Sequence, residues 1–97
     1  MPVIANLKKI CACPLNLKIL LFFQENPSTV DTANSLAAWI NVSRDEIEKA
    51  LEYLVAKGIL IQHYIRGTKA YAYTQDKKSI NQIEKFLKTR KEGEADV

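Results

Sequence analysis

Ser43-Arg44-Asp45-Glu46-Ile47-Glu48-Lys49-Ala50-Leu51-Glu52-Tyr53-Leu54-Val55-Ala56-Lys57-Gly58 is the best-defined element of the chain. Ser43, followed three residues later by Glu46, forms a capping box: the hydroxyl and the carboxylate satisfy backbone groups that a helix start leaves open. Ile47, Leu51, Leu54 and Val55 recur at helical spacing and make one apolar stripe. Gly58 supplies the left-handed residue at which the helix stops. A helix over 44–57, buried along one side, is the expectation.

Working upstream, Asn41-Val42-Ser43 is a three-residue connection to a preceding helix. That helix is capped by Asp31 or Thr32 and runs to about Trp39-Ile40, with Leu36, Trp39 and Ile40 at core spacing. Trp39 reads most simply as a core aromatic. Before it, Leu15 to Gln24 is apolar on almost every side, broken mainly by Asn16 and Lys18, so this helix is expected to be buried on more than one face. Glu25-Asn26-Pro27-Ser28 ends it. Pro2 suits the first turn of a short N-terminal helix over about 2–11, with Val3, Leu7 and Ile10 on one side. Pro14 then biases Ala12-Cys13 toward a corner.

Working downstream, Ile59 to Ile65 and Ala70 to Thr74 are β-branched and aromatic runs around Arg66-Gly67-Thr68-Lys69, the pattern of a hairpin. With Gly67-Thr68 as the turn, Arg66 lies opposite Lys69, Tyr64 opposite Tyr71 and Gln62 opposite Tyr73. One face then carries Gln62, Tyr64, Arg66, Lys69, Tyr71 and Tyr73. The other, with Ile59, Ile61, His63, Ile65, Ala70 and Ala72, is the expected core face. The tyrosines cover the core or another subunit, or donate to a phosphate. Ser79 can cap a last helix over 79–90, with Ile80, Ile83, Phe86 and Leu87 on one side. Residues 91–97 are charged and small, which predicts a flexible tail.

The totals agree with one globular domain of 1–90, mainly helical with a small hairpin. The chain has 97 residues, 47% hydrophobic and 26% charged. So short a domain buries a modest fraction of its surface, which favours a partner subunit. The net charge of +3 is too small to name a partner by itself. No apolar run is long enough for a membrane span, and Met1 to Asn6 lacks the features of a secretory leader, so a cytoplasmic protein is expected. Cys11 and Cys13 are poorly spaced for a disulfide with each other, which fits a reducing compartment.

Helix, helix, short turn, helix, hairpin is an order that resembles the winged helix-turn-helix. The stretch from Val42-Ser43-Arg44 through Ile47, Leu51 and Leu54 to Lys57-Gly58-Ile59-Leu60 carries the likeness, which spans 15–74 and is similar to repressors of the ArsR and MarR type. The resemblance implies a transcriptional regulator that binds double-stranded DNA. The two terminal amphipathic helices, which a minimal winged helix does not need, predict a homodimer formed through them together with surplus apolar surface on Leu15 to Phe23. Helix 44–57 would lie in the major groove, and the wing, 59–74, would reach the flanking backbone or minor groove. The residues so implied are Ser43, Arg44, Asp45, Glu48, Lys49 and Tyr53 on the helix, with Glu52 farther along it, and Arg66, Thr68 and Lys69 on the wing. Arg44 can pair with guanine, Lys49 with a base or phosphate, and Ser43 with a phosphate.

Charge pulls two ways. Ser43 to Gly58 holds three bases and four acids, and Glu48 and Glu52 would repel phosphate, although each could accept from cytosine. The wing holds Arg66 and Lys69 and no acid. An acidic third helix also suits the alternative reading, a winged-helix protein-interaction module using that helix or the tyrosine face. Cys11 and Cys13 form a soft-ligand pair too small for a tetrahedral metal site, and His63 has no visible route to them. Packing is the first role for both. An effector-sensing regulator using the pair is a third reading, whose small-molecule or metal effector the sequence does not name, and no cofactor is implied. One histidine, three glycines and no nucleophile-base pairing argue against an enzyme.

Overall fold

The computed structural model describes residues 7–95, with side chains for residues 7–89. In chain order the elements are α1 (Leu7–Cys11), α2 (Pro14–Glu25), β1 (Val30–Thr32), α3 (Ala33–Ile40), α4 (Arg44–Ala56), β2 (Leu60–Ile65), β3 (Thr68–Tyr73) and α5 (Lys77–Ala95). Residues 2–6 of the expected N-terminal helix and residues 96–97 of the expected tail lie outside the described residues. None of the described helices is long and apolar enough to cross a membrane.

Local chemistry sets the helix-turn-helix. Thr32 caps α3 by accepting from the Ser35 backbone N–H, and Asn41 leaves it in the left-handed region at φ 66. Asparagine tolerates that conformation better than most residues, so the chain can turn within three residues. At the start of α4 Ser43 caps as the spacing predicts, the Glu46 N–H donating to Ser43 Oγ at 3.2 Å, while the Glu46 carboxylate accepts from the Ser43 hydroxyl at 3.1 Å and not from its backbone N–H. At the other end the Ile59 N–H reaches the Leu54 carbonyl and the Gly58 N–H that of Val55, with Gly58 at φ 82. This pair of bonds is a Schellman motif, which needs a left-handed residue where glycine stands.

The core lies where α2, α3 and α4 meet the sheet. Ile19, Leu20 and Phe23 of α2, Leu36 of α3, and Ile47, Leu51 and Leu54 of α4 are fully buried, with Tyr71 and Tyr73 beneath them. α2 also buries Asn16, whose Nδ2 donates to the Ile10 carbonyl at 3.1 Å and joins the end of α1 to the core. Buried polar groups of this kind need such a partner.

Several expectations are corrected. Trp39 is 72% exposed rather than in the core. Helix α3 is short and its buried line runs Ala33, Leu36 and Ala37, which rotates Trp39 outward against Phe22, at 6.0 Å between ring centroids. The sheet has three strands in the order β1-β3-β2, all antiparallel, because Val30 to Thr32 pairs with Ala70 to Ala72. That strand is three residues long, too short to leave a period of its own.

The hairpin turns at Arg66-Gly67, not Gly67-Thr68. Ile65 lies opposite Thr68, Tyr64 opposite Lys69 and Gln62 opposite Tyr71, so Arg66 does not face Lys69. Arg66 at φ 52 and Gly67 at φ 79 both have the positive φ that a type I′ turn demands. Glycine serves either turn, as first residue of one type or second of the other, and both registers leave the same side chains on the same faces. Alternation therefore could not separate them.

Both faces of β3 are buried from Ala70 onward, so the expected core face holds at Ile59, Ala70 and Ala72, and the tyrosine face is buried as well at Tyr71 and Tyr73. Leu60, Tyr71 and Tyr73 are buried, whereas Ile61 and Ile65 are exposed. Ile59-Leu60-Ile61 is apolar throughout and hides the phase of the strand, and the helices cover the side with the larger rings. Tyr71 and Tyr73 bury their hydroxyls without a hydrogen-bond partner among the described residues. Finally, α5 starts at Lys77 with Asp76 as its cap instead of Ser79. Asp76 Oδ2 accepts from the Ser79 N–H at 2.9 Å and from Ser79 Oγ at 2.8 Å. The helix continues to Ala95 rather than ending near residue 90.

Candidate nucleic-acid interface

The start of α4, the start of α3 and the tip of the hairpin converge on one cleft of about 310 Å³, lined by Thr32, Ala33, Asn34, Arg44, Glu48, Gly67, Thr68 and Lys69. Each element is placed by a device already described. The left-handed exit at Asn41 folds α4 back beside α3, the pairing of β1 with β3 ties the start of α3 to the wing, and the tight turn at Arg66-Gly67 closes the tip. The cleft therefore gathers four of the nine residues expected to contact DNA: Arg44, Glu48, Thr68 and Lys69.

Within it, charges alternate. Arg44 Nη2 lies 3.8 Å from Glu48 Oε2, one helical turn on. Lys69 Nζ on β3 lies 3.6 Å from Glu52 Oε2 on α4. The two glutamates that seemed misplaced on a DNA-facing helix thus have partners. Glu52 reaches across to the wing, and nothing in the local sequence could reveal this, since the two residues are joined only by the fold.

The other expected residues are distributed differently. Ser43 is exposed, but its hydroxyl is engaged in capping α4 and in its bond to Glu46. Asp45 lies exposed in the first turn of α4. Lys49 and Tyr53 occupy another side of α4, in a depression of about 340 Å³ with Cys13, Leu15, Asn16, Glu46 and Ala50. Lys57 Nζ sits 5.4 Å from the centre of the Tyr53 ring, a cation–π arrangement. Arg66 is exposed at the tip in its left-handed conformation, which an unbranched asparagine or glycine would adopt with less strain. Thr32 and Asn34 were not among the expected contact residues, although Thr32 was legible as a cap. Their place in the cleft depends on β1.

Burial pushes the hydroxyl of Tyr71 above its ordinary range, with Lys69 opposing and Glu52 and Glu48 adding to the rise. Tyr73, buried and near Glu84, is pushed up to about 12. Both tyrosines are therefore neutral packing groups at ordinary pH, and of the three on that face only Tyr64 is well exposed. Cys11 is buried in the core while Cys13 is exposed at the start of α2. Among the described residues no three histidine, cysteine or acidic side chains come together as a metal-binding group.

No protein-family model matches the chain. No curated protein matches it either. Solved structures do resemble it. HlyU from Vibrio cholerae superposes with a TM-score of 0.68 at 18% identity, over 86% of each chain. The ST1889 protein from the thermoacidophilic archaeon Sulfolobus tokodaii gives 0.61 at 16% identity, over 80% of this chain and 82% of its own. A ZitR variant from Lactococcus lactis gives 0.56 at 18% identity, over 86% of this chain and 60% of its own. At these identities the likeness is one of fold. The chain is a winged-helix α+β protein, with a three-stranded antiparallel sheet and a helix added at each end.

Proposed function

We propose that residues 1–90 work as one winged-helix domain of a cytoplasmic transcriptional regulator, which binds double-stranded DNA as a homodimer. In this reading α4 enters the major groove and the wing follows the flanking backbone or minor groove. The observation that carries it is the convergence of Arg44, Thr68 and Lys69 on one cleft beside the start of α3. A helix start offers open backbone N–H groups and the positive end of its dipole, so this corner suits a phosphate next to the groove that α4 reads. Arg66 extends the basic edge outward.

The dimer is assigned to the terminal helices. Lys8, Cys11, Ala12, Phe86 and Thr89 line a largely apolar groove of about 480 Å³ between α1 and α5. Phe86 there is only half-buried, and a second copy covering it would remove more apolar surface from water. Two copies related by a two-fold axis would then present two α4 helices to successive major grooves.

Fluorescence anisotropy with duplex DNA across a salt series tests the DNA reading. Binding at low salt that weakens steeply as salt rises is expected, because counterions are released from the phosphates. Absence of binding, or binding indifferent to salt, would overturn it. Light scattering tests the dimer, with Phe86→Glu expected to shift it to monomer.

One observation favours a second reading, a protein-interaction module. Trp39 is exposed and backed by Phe22 on a surface away from the cleft. Exposed tryptophan is enriched where proteins meet. Charge reversal by Arg66→Glu with Lys69→Glu should abolish DNA binding in the first reading and leave a partner bound at Trp39 untouched in the second.

A further inference from the structure

The two cations that line the cleft each have a carboxylate neighbour. Arg44 has Glu48 at 3.8 Å, and Lys69 has Glu52 at 3.6 Å. Both pairs are solvent-exposed and weak, but each carboxylate offsets part of its cation's attraction for phosphate and itself repels it. Phosphate attraction at this site is therefore weakened though not lost, so it leaves room for the bases to decide. A carboxylate in the groove becomes favourable only when a base offers it an N–H.

Glu48 is placed for that. It is half-buried in the cleft wall, one turn from Arg44, and so about 6 Å farther along the helix. That rise brings the two side chains within reach of the same base pair or its neighbour. In the major groove guanine presents O6 and N7 as acceptors, and cytosine presents its N4 amino group as a donor. A guanidinium and a carboxylate side by side complement that edge, with opposite charges holding each other in position until the bases arrive.

Resting on the DNA reading above, we propose that Arg44 and Glu48 act together as a reader of a G·C pair or step: Arg44 donates to guanine O6 and N7, and Glu48 accepts from cytosine N4. Glu48 is then a specificity residue that lowers affinity for DNA in general and restores it only where cytosine lies opposite.

The test uses the full chain and a pool of duplexes with a randomised central segment, selected at low salt and sequenced. Wild-type protein should enrich duplexes with a fixed cytosine. Glu48→Ala should reduce the preference for that cytosine by about tenfold or more while retaining more DNA of unrelated sequence. Glu48→Gln, which keeps the helix and the side-chain volume, should move the preference toward adenine, because a carboxamide matches adenine N6 and N7. If both variants keep the wild-type cytosine with undiminished selectivity, this inference is overturned while DNA binding stands. If wild-type protein retains no duplex, the inference and the reading beneath it are both overturned.

Discussion

Glu52 on α4 and Lys69 on β3 meet at 3.6 Å, so the helix that would enter the groove and the wing that would flank it are joined by an ion pair. Both side chains are about half exposed, and a pair so placed contributes less than about 1 kcal/mol to stability. Its larger effect is on what Lys69 is free to bind. Glu52→Gln should leave the urea midpoint nearly unchanged and raise DNA affinity at low salt by up to about tenfold, with a steeper salt dependence. Anisotropy titrations alongside urea melts would check it, and an unchanged salt slope would contradict the expectation.

Arg66 holds a left-handed backbone at φ 52, where asparagine is less strained in a type I′ turn. Arg66→Asn should therefore stabilise the hairpin, by about 0.5 kcal/mol. It should also weaken DNA binding and reduce the salt slope by about one phosphate contact. The two effects run in opposite directions. Thermal melts and anisotropy on the same sample separate them.

Phe23 and Trp39 exchange the ranks that size alone would assign them. Phe23 is fully buried and Trp39 is 72% exposed. Phe23→Ala should cost about 3–5 kcal/mol through lost burial and the cavity left behind. Trp39→Ala should cost less than about 1 kcal/mol. Urea denaturation of both variants measures the contrast, and comparable losses would place Trp39 in the core after all.

Tyr73 gives the fold an alkaline limit. Its hydroxyl is buried without a partner and is pushed from 10.0 up to about 12 by burial, with Glu84 adding to the rise. The unfolded chain loses this proton near 10 and the folded chain only near 12. The unfolded state therefore binds fewer protons in between, and stability falls as pH rises from 10 to 12. Tyr73→Phe should flatten that decline and cost little at neutral pH, since the hydroxyl makes no bond that would be lost. Urea melts between pH 8 and 12 follow it directly.

Asp76 acts at the other end of the scale. Hydrogen bonds from Ser79 hold its carboxyl below the usual range. The folded state thus favours the charged form, and the cap's contribution is present above about pH 4 and lost as pH falls through the lowered value. Asp76→Asn should remove this acid dependence while Ser79→Asp, at the position read from sequence as the cap, should not replace it.

The local sequence by itself determined the features whose physics is local. The cap that Ser43 forms with Glu46, the Schellman stop at Gly58 and the three-residue turn at Asn41 each involve groups a few residues apart, so spacing and backbone preference were enough to place α4 and the turn before it. The three helices and the hairpin followed from the same short-range patterns, and with them the winged-helix order. What depended on contacts between distant segments was decided only by the tertiary structure. Strand β1 exists because β3 offers it an edge. Trp39 is outside because α3 has room to bury a single line of small and medium side chains. Tyr71 and Tyr73 are inside because the helices close over their side of the sheet, a choice that the apolar run Ile59-Leu60-Ile61 left open. The helix over 44–57 also changed in meaning: its excess of acid looked like an obstacle to DNA, yet Glu48 pairs with Arg44 through i,i+4 spacing within the helix, and Glu52 pairs with Lys69 across elements, a partner set by packing and not by spacing.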